Sequence, residues 1–481
     1  MKIMKRLMVS LMALAIMLLI PLNARAVDIT VDDGEVTGAS YEAYRIFDAT
    51  EAAGTGAKRQ VAYTLNSKYE AVVKQVTGKT SQADIIDYVQ NLDNDGIRTF
   101  ANSIYAAIKT AGLAADATAT DNKFSNVGQG YYLIAETNTG SQTDDEISLV
   151  MLATAGLNEL TVTTKEDKPT LVKKVGSSSN VEVAGFQWQD GATYGLKDVV
   201  PFKLTATVSK NLDQYKEYKF EFHDTLSAGL TFNADSVKIM AGGKDITQKF
   251  TVVEQGGNIT MKCAELKGTD GVTAGGEIVV TYTATVNDQA VTGKPGNPNK
   301  AKIVFSNNPY GDGTGETPED KVTVFTFKVT ANKTDDQNKP LEGAGFTLYK
   351  EVEGQYQPVG AEITNVTSFT FSQLNVGKYK LVETTVPAGY NKAADIEFTI
   401  AATYDTEADD PQLKTLTVDP ADSFTVDLDT GCASTTVVNK SGQELPGTGG
   451  LGRTILYVVG SVAFISAAVL LLARKKNNQN N

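Results

Sequence analysis

From about residue 160 onward the chain alternates between apolar and polar positions. The segments "VVPFKLTATV" (199–208), "GEIVVTYTATV" (276–286), "FTFKVTA" (325–331) and "KYKLVET" (378–384) place apolar residues at every second position and end near Gly, Asn, Asp or Pro. A period of two predicts strands with one face in a core, and many short strands with regular turns predict β-sandwiches. The first part of the chain differs. "YEAYRIFDA" (41–49) and "GQGYYLIAET" (128–137) again read as strands, whereas "QADIIDYVQNL" (82–92) and "GIRTFANSIYAAIKTAGLA" (96–114) carry apolar residues at helical spacing. The prediction is a mainly β protein of tandem immunoglobulin-like β-sandwiches, the first with a helical insertion.

The two ends have their own patterns. Lys2, Lys5 and Arg6 precede an apolar run from Leu7 to Ile20, and Ala24-Arg25-Ala26 follows. This reads as a secretory signal peptide over 1–26, too short to span a bilayer. Near the other end, Ile455–Ala473 is long enough for a transmembrane helix, and Arg474, Lys475 and Lys476 follow on what would be the cytoplasmic side. Between these ends, 27–164, 165–321 and 322–440 read as three sandwiches, with the Gly-, Asp- and Pro-rich "SNNPYGDGTGETPED" (306–320) as the linker before the third. Residues 441–481 form a polar stalk followed by the tail.

The composition is that of a globular chain. The formal net charge of −13 argues against a nucleic-acid partner. Cys263 and Cys432 are the only cysteines, so an exported chain without a disulfide framework must be held together another way. No serine or cysteine triad and no phosphate loop can be assembled, which disfavours an enzyme, and no cofactor is expected. "NLDNDGIRTFAN" imitates half a calcium loop at Asn91, Asp93, Asp95 and Gly96, but its twelfth residue is Asn102 rather than Glu, so it reads as a turn between helices and no metal site is expected. The lone histidine, His223, stands beside Asp224, and Trp188 reads as a packing anchor.

Leu445-Pro446-Gly447-Thr448-Gly449, set before the apolar span and the basic tail, resembles the LPXTG-type sorting signal of Gram-positive surface proteins. "KPLEGAGFTLYK" with "GKYKLVETTVPAGY" is similar to the collagen-adhesin B-type domain. "FHDTLSAGLTF" with "GNPNKAKIVFSNNP" resembles the isopeptide-forming fimbrial domain. In this order the segments resemble a major backbone pilin of sortase-assembled pili. The resemblance implies that a sortase cysteine attacks the Thr448 carbonyl and passes the chain to a lysine of the next subunit. It further implies minor pilins and peptidoglycan as partners, and a surface pilus anchored to the cell wall. The alternative is a wall-anchored adhesin or minor pilin that binds a host ligand without polymerising.

The resemblance also implies internal Lys–Asn isopeptide bonds, each assisted by an acidic residue and joining the first strand of a domain to its last. In the middle domain the positions are Lys173, Asp224 and Asn299; in the third they are Lys333, Glu383 and Asn439. The residue types suit the chemistry. Burial favours a neutral, nucleophilic amine and a protonated carboxyl group, which can polarise an amide and shuttle a proton. Contact between amine and amide supplies the proximity term. Asn307 and Asn308 compete with Asn299, and Lys174 competes with Lys173, since alternation turns the two lysines to opposite faces. In the first domain Glu136 stands where a helper carboxylate would, but "VDITVDDGEVTG" has no lysine, so no bond is expected there and a buried Glu136 needs another partner.

"LTVTTKEDKPTLVKKV" (160–175) holds Lys165, Lys168, Lys173 and Lys174. Lys165, after Val162-Thr163-Thr164, stands in the place of the family's sortase acceptor but lacks the usual preceding proline. Lys168 is the competitor. Lys173 is then assigned to the core and Lys165 to the solvent.

Overall fold

The computed structural model describes residues 26–33, 38–51, 61–140, 145–163, 168–177 and 187–442. The secretory signal before Ala26, Lys165, and the sorting signal with its apolar tail lie outside the described residues. Among the described residues, no helix is long and apolar enough to cross a membrane.

Each sandwich follows from the alternation. In Glu277–Val286 every second side chain is buried, and Ile278, Val280, Tyr282 and Ala284 enter the middle core. That core lies between two sheets. One runs in the order 188–189, 171–176, 199–207, 277–286, 230–241 and 244–245; the other runs 191–193, 320–325, 297–306, 220–226, 258–263 and 251–255. The third unit packs the sheet 368–374, 327–335, 432–439, 425–427 against a sheet centred on 345–352, 377–385 and 396–404. Its first strand, Phe327–Asp335, pairs in parallel with its last, Cys432–Asn439.

In the first unit, Ala26–Asp32 likewise pairs in parallel with the late strand Glu159–Thr163. A second sheet holds Ser40–Glu51 and Gly130–Asn138, and the helical insertion covers it. The insertion has three helices: Glu70–Thr77, which was not expected, Gln82–Gln90 and Asn94–Thr110. Of the calcium-like stretch only Asn91, Leu92 and Asp93 form the turn between the last two; Asp95, Gly96 and Asn102 lie within the final helix. Asp93 caps the final helix by accepting the Gly96 N–H at 2.8 Å, which satisfies an orphan donor of the first turn.

The boundary between the middle and third units differs from the expectation. Val322 does not begin the third unit. Asp320–Phe325 pairs with Asn297–Ser306 and closes the middle sheet, with Val322 and Val324 in the middle core, while Phe325 and Phe327 belong to the third. The Gly-rich 306–320 segment is therefore an excursion inside the middle unit, not a linker. It reaches back to the first unit: Tyr310 lies edge-on to Tyr105 at 4.8 Å and donates to Asn102 Oδ1 at 2.5 Å, while the Ile147 N–H donates to the Asn307 carbonyl at 2.9 Å.

The middle and third units also meet closely. Gly293 and Gly431, both at positive φ, abut so tightly that a Cβ on either would collide with the other's backbone. An acidic loop of the third unit supplies Glu407 to Lys174 at 2.8 Å and Asp410 to Lys321.

Candidate functional site

In Leu171–Gly176 alternation turns Lys173 inward and Lys174 outward, which separates the two competitors. Lys174 pairs with Asp190 at 2.7 Å and with Glu407. Lys173 sits beneath the rings of Phe202 and Tyr282, its Nζ 5.4 and 5.3 Å from their centroids. From the opposite sheet come Asp224, on Phe220–Leu226, and Asn299, on Asn297–Ser306; none of these three polar residues is more than 2 % exposed. Asn299 is not on the last strand, as expected, because Asp320–Phe325 follows it in the sheet.

One hydroxyl joins the three. Lys173 Nζ lies 2.5 Å from Asp224 Oδ2 and 3.1 Å from the Tyr282 hydroxyl. Tyr282 donates to Asp224 Oδ2 at 2.8 Å and accepts from Asn299 Nδ2 at 2.7 Å. Asp224 Oδ1 and Asn299 Oδ1 are buried without a hydrogen-bond partner. Burial pushes the Lys173 amine below its ordinary value even though Asp224 opposes the shift. Burial likewise pushes the Asp224 carboxyl up against the opposing effects of Lys173 and Tyr282. Both shifts favour a neutral amine beside a carboxylic acid.

The third unit gathers a second set. Lys333, Glu383 and Asn439 are each 1 % exposed. Asn439 Nδ2 donates to Glu383 Oε1 at 2.6 Å, the Ala393 N–H donates to Oε2 at 2.7 Å, and Asn439 Oδ1 is buried without a partner. Lys333 Nζ donates to the Thr334 and Val437 carbonyls at 2.8 and 3.2 Å, and burial pushes its amine below the ordinary value. A neutral amine has two N–H donors, so these two carbonyls orient both and leave the lone pair free. Parallel pairing sets Lys333 opposite Val437 and Asp335 opposite Asn439, so the amine and the amide lie on adjacent strands.

The other candidates have different neighbours. Asn307 serves the junction with the first unit, where its amide meets the Asp145 carbonyl at 3.5 Å, and Asn308 accepts from the Tyr310 N–H. Lys168 pairs with the buried Asp145 carboxylate at 2.8 Å. Buried Glu136 accepts the Ser148 N–H at 3.1 Å. His223 faces Glu221 at 2.8 Å, and Trp188 lies under Lys203 Nζ at 4.9 Å. Cys263 and Cys432 are free thiols. Among the described residues, no group of three or more His, Cys, Asp or Glu side chains is placed to hold a metal.

Tyr282 was missed by the sequence reading. The available signal was parity: in "GEIVVTYTATV" it falls on the inward, otherwise aliphatic face, where a phenol needs a hydrogen-bond partner.

Residues 196–309 match the Gram-positive pilin backbone subunit 2, Cna-B-like domain family, and residues 327–412 match the SpaA prealbumin-like fold domain family. The trypsin-resistant surface T6 protein of Streptococcus pyogenes serotype M6 is 28% identical over 257 residues, 47% of this chain and 44% of that protein. The aligned region thus spans less than half the length of that relative. The solved T6 backbone pilin of S. pyogenes, described as a modular three-domain structure, superposes with a TM-score of 0.55 at 20% identity, covering 87% of this chain and 98% of that one. This shows a shared fold. The full-length major pilin SpaD of Corynebacterium diphtheriae aligns over 88% of this chain and 99% of its own at 15% identity and a TM-score of 0.47.

Proposed function

We propose that this chain, which carries the domains of Gram-positive backbone pilins, is the shaft subunit of a covalently polymerised surface pilus. In this reading a sortase cleaves after Thr448 and joins it to Lys165 of the next subunit, and minor pilins and peptidoglycan complete the wall-anchored fibre. Each subunit is stitched internally by Lys173–Asn299 and Lys333–Asn439 isopeptide bonds, which form once and without a separate enzyme. The observation that carries this reading is the burial, twice in one chain, of an amine, a carboxyl and an amide whose carbonyl oxygen has no partner. Burying ionisable groups beside an amide oxygen that has no partner is costly, and conversion to a neutral secondary amide lowers that cost. Pairing with buried Asp145 holds Lys168 to its own subunit, which favours Lys165 as the acceptor.

Immunoblotting of wall extracts tests the polymer. A ladder that survives boiling in detergent, and that collapses in Lys165→Ala, is expected. A single band in cells that express the cognate sortase would overturn polymerisation and leave a wall-anchored monomer. Peptide mapping of the extracted ladder should yield a branched Thr448–Lys165 peptide.

A further inference from the structure

We propose that Tyr282 is a catalytic residue of the middle-domain cross-link, its hydroxyl carrying a proton between Asp224 and the departing nitrogen of Asn299. This rests on the cross-linking reading above. In that reaction the Lys173 Nζ–Asn299 Cγ bond forms, the Cγ–Nδ2 bond breaks, its electron pair leaves with nitrogen, and ammonia departs. One proton must therefore pass from Nζ to Nδ2. Asp224 Oδ2 is 2.5 Å from Nζ and can take that proton. The carboxyl has no hydrogen bond to Nδ2 among the described residues, because Oδ2 bonds Lys173 and Tyr282 while Oδ1 bonds nothing.

The phenol closes that gap. Its oxygen lies 2.8 Å from Asp224 Oδ2 and 2.7 Å from Asn299 Nδ2, and both distances suit a hydrogen bond run in either direction. Asp224 passes its proton to the phenol oxygen, the phenol passes its own to Nδ2, and Asp224 recovers one from Nζ. Asp224 and Tyr282 end as they began, and atoms and charge balance. The bond from Nδ2 to the phenol also positions the leaving group before attack, while the ring covers the amine.

The third unit shows why the middle one needs the extra group. There the acidic residue is glutamate, one methylene longer, and its Oε1 touches Asn439 Nδ2 directly at 2.6 Å. Aspartate with tyrosine in the middle unit thus reaches the amide nitrogen that glutamate touches directly in the third.

Tyr282→Phe keeps the ring and removes only the hydroxyl. The mature chain is expressed, sampled at intervals, and analysed by intact mass and peptide mapping. Formation of the Lys173–Asn299 link should slow by roughly 10²-fold or more, the scale of general acid–base assistance. The Lys333–Asn439 link in the same molecules should form as in the parent. A middle link as fast and complete as the parent's would overturn the role of Tyr282. Absence of that link from the parent itself would instead sink the cross-linking reading. A second variant, Asp224→Glu with Tyr282→Phe, places a methylene in the space the hydroxyl leaves and lets the carboxyl reach Nδ2 directly. It should form more middle link than Tyr282→Phe alone, and no gain would count against the bridge even if the single variant fails to fold.

Discussion

Asp224→Ala is the most revealing perturbation of the proposed stitching, because it removes the carboxyl but leaves both groups to be joined. Asp224 contacts Lys173 Nζ and Tyr282 in a site that is closed to solvent. Without it the amine loses the group placed to take its proton, and the link should not form. Two losses follow. By analogy with a disulfide, opening a loop of about 100 residues forfeits roughly 4–5 kcal/mol in the chain-entropy model. A buried lysine left without its carboxylate adds a penalty on the order of 3–5 kcal/mol if it stays charged, and less if it sheds its proton. The closure loss alone, for a domain of this size, should lower its melting temperature by about 10–20 °C. Intact mass and calorimetry on one preparation test both claims. After allowance for the substitution, the variant should retain one more ammonia than the parent, and the transition assigned to the middle unit should fall while that of the third holds. A variant that still lacks two ammonia masses would refute the role of Asp224. Full loss of the link with an unmoved transition would refute the stabilising role of the cross-link.

Glu383→Ala should likewise restore one ammonia mass and lower only the transition of the third unit, as read by the same two measurements. In Asn439→Ala the amine of Lys333 stays buried and unlinked; its pKa is lower than in the unfolded chain. The unfolded state therefore binds more protons between the lowered value and the ordinary lysine value, so stability in denaturant melts should rise with pH across that window and be lost as pH falls through the lowered value. Tyr310→Ala removes the edge-on contact with Tyr105, worth about 0.5–1.5 kcal/mol beyond buried area, and should broaden the distribution of first-to-middle unit orientations in small-angle scattering without altering either cross-link.

Much of the fold was legible because its signals are local. The period of two marked the strands and showed that Lys173 and Lys174 face opposite ways, while the family resemblance chose Lys173 as the inward one. The period of 3.6 found two of the three helices; Glu70–Thr77 is only eight residues long and offers two apolar turns. The misplaced boundary has a different cause. Val322 and Val324 alternate like any other inward residues, and alternation shows that a strand exists without showing which sheet it joins. The Gly-rich stretch before it marks a turn equally well within a unit or between units. The same limit hid Tyr282, whose partners come from three other strands. Lys, Asp and Asn were found through family resemblance, and the phenol between them was visible only after the sheets were stacked.

The parallel pairing of Phe327–Asp335 with Cys432–Asn439 bears on how a fibre resists being pulled. In the proposed fibre, tension would enter the third unit at the start of one strand and leave at the end of the other, at opposite ends of the pair. The ladder is thus loaded in shear, all rungs together, rather than peeled one at a time. An amide from Lys333 to Asn439 would carry that force past everything between them, so the hairpins of the unit could fray and re-form while the shaft keeps its length.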